Sequence, residues 1–311
     1  MLKTFKNLAD MNKAFPDENA CINHFRALRW PDADKIVCPH CGVIGKHYTL
    51  ADNTHKCRDC RRKFTVRNGT IFEDSKIELR RWFMAIFLMT SHKKGISSCQ
   101  LARDIGVTQK TAWFMLHRVR NAAMTAEFNA PLTGTVEVDE CFVGPKAKFQ
   151  HADKRKEAGG LRRANKKIVF GMAQRDGELR LAYVPNTSHK ATIPLIVRHI
   201  ARGSRVHTDE SITYAWMGAS YEHGFVRHKL GQYVDGDVTT NRIEGAFSHF
   251  RRTMVGTYHK ADPAHLDRYL QMFAFRWNSR KDTEEDRMND LLRQTKGRRL
   301  TYKKLTGQFQ Q

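Results

Sequence analysis

Apolar residues recur at helical spacing through much of the first 125 positions. They form one stripe at residues 15–28, and a dense apolar helix is predicted at residues 79–89. Two shorter helices are predicted after it, separated by a turn at Gly106, with Thr108 as the N-cap of the second helix. The inward positions of that second helix are Ala112, Leu116 and Val119. This spacing predicts a helix-turn-helix, although an ordinary helical hairpin has the same pattern.

From about residue 133 the pattern changes to short β-rich runs, with helical patterns at residues 191–202 and from about residue 241 onward. The β-rich runs lie at residues 135–138, 167–173, 179–184 and 205–208. Strands that alternate with helices predict an α/β domain whose sheet is covered by helices. The charged, glycine-containing stretch 146–167 predicts a basic loop, which is either a solvated face or a contact to DNA.

Positive charge is spread along the whole chain rather than confined to one end. The 311 residues include 54 Lys and Arg against 32 Asp and Glu, a formal net charge of +22. A polyanion is therefore the expected partner, above all the phosphate backbone of double-stranded DNA, and a membrane surface is the weaker alternative. No stretch approaches the 18 apolar residues of a membrane span, and the N-terminus lacks the apolar core of a signal peptide. We therefore expect a cytoplasmic, nucleoid-associated protein without a membrane partner.

Four of the seven cysteines form two Cys-x-x-Cys pairs, Cys38 with Cys41 and Cys57 with Cys60. A single pair of this kind is also typical of redox sites, but two pairs 15 residues apart predict a zinc ribbon. Four thiolates leave no open coordination position, so the one Zn²⁺ is expected to be structural. Tyr48 and Phe64 are expected to cover the small core of the ribbon. A ribbon alone does not distinguish DNA, RNA and protein partners.

The charge and the adjacent ribbon favour DNA binding by the predicted helix-turn-helix. The second helix of such a motif enters the major groove, where its first residues reach the base edges. The residues expected to face DNA are Gln109, Lys110, Thr111 and Trp113, although the helical spacing of Trp113 also fits packing.

Three isolated acids lie where a metal-dependent nuclease would place its carboxylates. Asp139 and Asp209 each end a β-rich run, and Glu244 lies near the start of an amphipathic helix. Phosphodiester cleavage by two Mg²⁺ (or Mn²⁺) ions needs acids on rigid supports that hold the ions roughly 3.5–4 Å apart. Taken singly, an Asp after a strand is more often a turn residue. Only their combination indicates a site.

Other acids and a histidine near these positions are expected to lie outside the set of metal ligands. Side chains alternate along a strand, so immediate neighbours of Asp139 and Asp209 face away from the ions. On this basis Glu137, Glu140 and Glu210 are predicted to lie behind the site or at the surface. His207 is predicted to be structural or to contact DNA, because Mg²⁺ prefers oxygen ligands.

The order of these motifs resembles one known family. A zinc ribbon, a helix-turn-helix, the strand Val-Glu-Val-Asp-Glu, the strand His-Thr-Asp and the helix Asn-x-x-Glu are similar to bacterial insertion-sequence transposases of the fifteen-ninety-five group. The resemblance covers roughly residues 15–305. It implies an α/β, ribonuclease-H-like catalytic domain with a mixed sheet, preceded by the zinc ribbon and an all-α helix-turn-helix domain.

The resemblance also implies roles for individual residues. The family's catalytic acids fall on Asp139, Asp209 and Glu244, and its Asn on Asn241, where it would contact metal or DNA. A family Lys that contacts DNA is replaced here by Arg251, followed by Arg252, so the charge is kept with a forked donor geometry. The implied domains are the N-terminal helix and ribbon at 1–70, the helix-turn-helix at 76–125, the catalytic domain at 130–280 and a basic C-terminal tail at 281–311.

The implied function is a DNA transposase. It would bind the terminal inverted repeats, cleave a strand by metal-dependent hydrolysis, and join the freed 3′-hydroxyl to target DNA. Two ends must be paired, so a homo-oligomer is expected in the synaptic complex. Two alternatives are a domesticated regulator without catalysis and a nuclease of the same fold without strand transfer.

Overall fold

The structure is a computed structural model that describes residues 2–124, 130–144, 166–210 and 217–307. Residues 146–165 of the predicted basic loop lie outside the described residues. Contacts divide the chain into two compact units. The first unit comprises Met1–Met124 and Lys281–Gln311, and the second comprises Thr125–Arg280.

The first unit begins with helices α1 (Leu8–Ala14) and α2 (Glu18–Arg29), followed by a 3₁₀ turn at Ala33–Lys35. Three short antiparallel strands form the ribbon sheet in the order β1-β2-β3. These strands are β1 (His47–Thr49), β2 (His55–Cys57) and β3 (Lys63–Phe64). Phe64 is buried as predicted, but the prediction for Tyr48 is wrong because its side chain is 51% exposed. Trp30 and His55 pack edge to face in the ribbon core in its place.

Three helices follow the ribbon: α3 (Leu79–Ser91), α4 (Ser98–Ile105) and α5 (Gln109–Ala122). Gly106 ends α4 in the left-handed region at φ 65°, a conformation that glycine adopts without steric cost. Thr108 caps α5 by accepting a hydrogen bond from the amide of Thr111. The positions predicted to face inward on α5, Ala112, Leu116 and Val119, are all buried. The helix, turn and helix therefore lie where the sequence pattern predicts them.

The C-terminal segment contributes α9 (Glu284–Arg293) and α10 (Tyr302–Leu305) to this first unit. The buried His24 of α2 fixes α9 through a 2.8 Å hydrogen bond between its Nε2 and Oδ1 of Asn289. Its Nδ1 accepts from the backbone amide of Lys3 at 3.1 Å. The neutral ring therefore carries its proton on Nε2.

The second unit is built on a five-stranded mixed sheet in the order β6-β5-β4-β7-β8. Its strands are β4 (Thr135–Val143), β5 (Lys167–Gln174), β6 (Leu179–Val184), β7 (Arg205–Asp209) and β8 (Glu222–Val226). The first three strands pair antiparallel, and β7 and β8 run parallel to β4. This is the α/β fold with a mixed, ribonuclease-H-like sheet that the resemblance implies.

Helices cover both faces of this sheet. On one face, helix α6 (His189–His199) contributes Ile196 to a core that includes Val136, Val138 and Val206. On the other face, helices α7 (Asn241–Thr253) and α8 (Pro263–Asn278) pack against Cys141, Val143 and Val169. Short elements complete the unit: 3₁₀ turns at Met217–Ala219 and His228–Leu230, the hairpin β9 (Val234–Asp235) and β10 (Val238–Thr239), and a π-turn at Met254–Tyr258.

Within the described ranges, the longest apolar helices are too short or too polar to cross a membrane.

Candidate active site and zinc centre

The first two predicted acids lie on adjacent parallel strands. Val136 of β4 pairs with Val206 of β7, and Glu137 pairs with His207. The pairing ends there, and Asp139 and Asp209 each follow two positions later on these neighbouring strands, close enough for the charge of Asp209 to raise the pKa of Asp139. The valines face the α6 side of the sheet, so the alternation of side chains directs both carboxylates to the α7 side.

The helix that carries the third acid packs on this same face, beside Asp139. Gly171 of β5 pairs directly with Asp139, so positions 139 and 171 share one face of the sheet. A Cβ atom at position 171 would lie 2.6 Å from Cδ1 of Ile243 and 2.7 Å from Cζ of Phe247. Only glycine therefore allows α7 to approach the sheet this closely. Glu244 follows Ile243 in the first turn of α7.

The pKa of Asp139 reflects its burial and the acids near it. The pKa of its carboxyl is raised from 3.8 to about 7, mainly by burial and to a lesser extent by the charges of Glu140, Asp209 and Glu244. The backbone amide of Glu140 donates to its Oδ1 at 2.7 Å and partly offsets these effects. A divalent cation would relieve this repulsion, and carboxylate oxygens are the ligands that such hard cations prefer.

The carboxylate of Glu244 contacts two polar side chains, those of Thr240 and His228. Its Oε1 accepts a 2.9 Å hydrogen bond from the hydroxyl of Thr240 and lies 3.5 Å from Nε2 of His228. In the part of the chain that the structure describes, the only group of three or more ligand atoms close enough to share one metal ion is formed by cysteines. The three carboxylates thus lie on one face of the sheet, but their oxygen atoms are not close enough together to bind one metal ion in this arrangement.

A buried acid behind these carboxylates fixes the start of α7. Glu137 is 1% exposed, and its Oε2 accepts from the backbone amides of Arg242 at 2.8 Å and Ile243 at 3.1 Å. Two amides at a helix N-terminus lack partners within the helix, and an anion there also interacts favourably with the helix dipole. Burial raises the pKa of Glu137, while these amides and Arg175 lower it. Glu137 therefore holds the helix that bears Glu244.

Arg175 extends this polar layer across the sheet. Its guanidinium lies 3.4 Å from Oε1 of Glu137, 3.2 Å from Nδ1 of His207 and 2.6 Å from Oδ1 of Asp237. Glu137 and His207 each precede a predicted catalytic acid by two positions, so each shares its face of the strand. The prediction that alternation turns Glu137 away from the side of the ions is therefore wrong, because Glu137 and Asp139 are two positions apart on β4 and share one face. Sequence reasoning also did not find the role of Glu137 in fixing α7. The two-residue spacing was the available signal.

The other predicted site residues of α7 lie at its two ends. Asn241 is exposed at the first position of the helix, where its backbone amide donates to Oγ1 of Thr239 at 3.2 Å. Arg251 and Arg252 are exposed in the last turn. The pKa of the Cys141 thiol is raised to about 11, because burial outweighs the opposing effect of the nearby Arg251 guanidinium. Because Cys141 follows Asp139 by two positions, Arg251 reaches the same face of the sheet.

The four predicted zinc ligands come together in the ribbon. The Sγ atoms of Cys38, Cys41, Cys57 and Cys60 all lie within 4.8 Å of one another. Two of the separations are 3.7 Å, between Cys38 and Cys60, and 3.6 Å, between Cys41 and Cys57. A tetrahedron with Zn–S bonds of about 2.3 Å has edges of about 3.8 Å, so the cluster fits a structural Zn²⁺.

The predicted DNA-facing residues lie in the first turn of α5 and differ in their partners. Gln109 and Lys110 are exposed, and Gln109 donates to Oγ of Ser98 at 2.8 Å. Lys110 lies over the ring of Tyr302, with Nζ 5.1 Å from the ring centroid. Thr111 is half-buried, and its hydroxyl lies 2.9 Å from that of the capping Thr108.

A four-cysteine ribbon in one unit, and acids at the ends of adjacent strands of a ribonuclease-H-like sheet in the other, define a class of protein that processes nucleic acid. Residues 131–278 match the family model of the ISXO2-like transposase domain, and residues 16–63 match that of the transposase zinc-ribbon domain. The chain belongs to this IS1595 family of insertion-sequence transposases.

A curated relative agrees with this assignment. The chain is 29% identical over 280 residues to an uncharacterized protein in the transposable element ISH50 of Halobacterium salinarum. The match covers 85% of this chain and 92% of that protein. The resemblance inferred from the order of motifs is therefore confirmed. A transposase role, DNA binding and a structural zinc in the ribbon follow at the level of the family.

Proposed function

We propose that this transposase binds the terminal inverted repeats of its element, hydrolyses a phosphodiester at the transposon end, and joins the resulting 3′-hydroxyl to target DNA. The observation that supports the proposal is that Asp139 and Asp209 lie near each other on the neighbouring parallel strands β4 and β7, while the first turn of α7 packs on the sheet beside Asp139. Rigid strand ends and a helix start are the supports that a two-metal phosphodiesterase needs.

In this proposal Asp139, Asp209 and Glu244 hold Mg²⁺ or Mn²⁺, two ions per active site. Such ions activate the attacking oxygen and stabilise the leaving oxygen of an in-line displacement. The chain's own contribution is to position three carboxylates and to keep Asp139 in a buried, low-dielectric setting. For Glu244 to serve as a ligand, its carboxylate would exchange Thr240 and His228 for the metal site.

Basic and polar residues around the carboxylates would hold the DNA. Arg251 and Arg252 carry positive charge on the helix that bears Glu244, and Asn241 is exposed at the start of that helix. We assign them to phosphate contacts, with Asn241 close enough in sequence to Glu244 to share its face of α7. In the first unit, Gln109, Lys110 and Thr111 would read the terminal repeat from the first turn of α5.

The experiment is an assay of strand cleavage and joining on a DNA duplex that carries the end of the element, with Mg²⁺ present. Asp139→Asn and Asp209→Asn are expected to abolish both products while binding of the duplex survives, because neither side chain lies in the first unit. Glu210→Gln is the matched control, since it removes a neighbouring acid that alternation turns to the other face. Cleavage by either Asp→Asn variant would contradict the proposal.

The same assay separates the alternative functions. A nuclease without strand transfer would release cleaved ends but give no joined product. A regulator without catalysis would bind the duplex and give neither product. Because two transposon ends must be cut and joined together, we also expect the active form to be a homo-oligomer.

A further inference from the structure

The C-terminal segment runs along α5 in the opposite direction, from the end of that helix to its beginning. At the end of α5, Nδ2 of Asn121 donates to the carbonyl of Arg298 at 2.8 Å, and Nε of Arg118 donates to the carbonyl of Leu300 at 3.0 Å. Nearer the start of α5, the rings of Phe114 and Tyr302 meet edge to face at 5.5 Å. In the first turn, Nζ of Lys110 lies 5.1 Å from the centroid of the Tyr302 ring. We call residues 296–305 the C-terminal strap.

The strap is anchored to the unit at its start and ends in the short, capped helix α10. At its start, Lys296 forms a β-bridge with Thr70, and the amide of Gly297 donates to the carbonyl of Gly69 at 2.7 Å. At its end, Thr301 caps α10 by accepting from the amide of Lys304 at 3.2 Å. Leu300 and Leu305 are 1% and 3% exposed, so the apolar side chains of the strap are already covered. A second apolar partner is therefore not needed to bury them.

The strap places positive charge at the surface near the N-terminal end of α5. Lys303 and Lys304 are exposed on α10, directly after the Tyr302 that contacts Lys110. Amides and the dipole of a helix N-terminus attract phosphate, and a recognition helix enters the major groove with this end. Lysines that flank this end are placed to meet the phosphate backbone at the edge of the groove.

We propose that the C-terminal strap is part of the DNA-binding surface: Lys303 and Lys304 contact backbone phosphates, while Tyr302 orients Lys110 at the start of α5. This inference rests on the proposed function, because it takes α5 to be the recognition helix. The ligand is the phosphate backbone of double-stranded DNA. The contacts position the duplex and do not read its sequence.

The test measures affinity for a DNA duplex carrying the end of the element across a salt series, from about 50 to about 200 mM. Each phosphate contact contributes about −0.9 to the slope of log affinity against log salt, so the double variant Lys303→Ala/Lys304→Ala should make the slope less negative by about 2. Lys6→Ala/Lys13→Ala removes two exposed lysines from the N-terminal region of the same unit and should change the slope less. Thermal unfolding is measured alongside, so that a change in slope is attributed to DNA contact only where the variant is folded.

A second pair of variants tests Tyr302. Tyr302→Phe keeps the ring that faces Lys110 and Phe114, and should bind as the parent does. Tyr302→Ala removes the ring and should weaken binding. A parent protein that shows no salt-dependent binding of the duplex would contradict the proposed function itself. A parent that binds, together with a double-lysine variant of unchanged slope, would overturn the assignment of the strap alone.

Discussion

Glu137 and Asp139 lie two positions apart on β4, so their side chains share one face of the sheet but have different partners. Burial, together with the charges of neighbouring acids, raises the pKa of Asp139 to about 7. Glu137 faces donors, the two amides at the start of α7 and the guanidinium of Arg175. Strand β4 therefore supplies both a candidate metal ligand, Asp139, and the acceptor Glu137, which fixes the helix that carries a second candidate ligand, Glu244.

Replacing Glu137 tests this division at the level of single residues. Glu137→Ala leaves two helix amides and Arg175 without their buried acceptor, and should cost about 1–3 kcal/mol in the free energy of unfolding. It should also reduce strand cleavage, because the first turn of α7 carries Glu244. Glu137→Gln keeps one carbonyl acceptor and should recover part of both losses. Urea unfolding and the cleavage assay measure the two effects.

The comparison with a second buried acid makes this prediction specific. Asp267 is partly buried on α8, and its Oδ1 accepts from the amide of Tyr183 at 2.8 Å. Asp267→Asn should lower stability without a matching loss of cleavage at temperatures where it remains folded. If Glu137→Ala cleaves DNA at the parental rate once both proteins are folded, Glu137 does not position the catalytic helix.

At the level of elements, most predicted strands and helices coincide with observed ones because their hydrophobic period is local. The run predicted at 205–208 becomes β7, and the Gly106 turn separates α4 from α5. β8 escapes prediction because Glu-His-Gly-Phe-Val at 222–226 has no clear alternation of apolar and polar residues. The polar layer formed by Glu137, Arg175 and His207 also escapes prediction, because pairing between strands distant in sequence creates it.

Acidification should weaken the contact between α2 and α9. Burial lowers the pKa of His24 below its ordinary value of 6.5. The unfolded chain therefore binds a proton more readily than the folded one, so the His24 contribution is fully present above pH 6.5 and is lost as the pH falls below it. Thermal unfolding of the parent between neutral and mildly acidic pH should show this loss, and His24→Gln should show less of it. An equal pH dependence in both proteins would contradict the role of His24.

The ribbon should depend on its metal. The four thiolates fit one Zn²⁺. The hydrophobic core of the ribbon is too small to keep it folded without this metal. Cys57→Ser should remove the zinc, about one ion per chain by elemental analysis, and unfold the ribbon. Cys99→Ser is the matched control, because Cys99 is exposed and lies outside the cluster. Full zinc content in Cys57→Ser would show that the cluster is not the zinc site.

At the scale of the whole molecule, the class of fold could be predicted from the order of motifs along the chain, and the assignment of the three acids stays a prediction. The C-terminal segment could not. Sequence reasoning treats 281–311 as a separate basic tail, whereas its described residues lie in the same compact unit as residues 2–124. Arg118 and Asn121 contact backbone carbonyls of the strap that lie 182 and 177 positions away, so no pattern of side chains in the strap predicts these contacts.

The central claim is that Asp139, Asp209 and Glu244 act as one site for divalent cations. Titration of Mn²⁺ into the zinc-loaded protein with a bound DNA duplex, followed by electron paramagnetic resonance, tests this claim most directly. The parent should bind about two Mn²⁺ per chain, and Asp139→Asn and Asp209→Asn should each lose at least one. Parental Mn²⁺ binding in both variants would contradict the account.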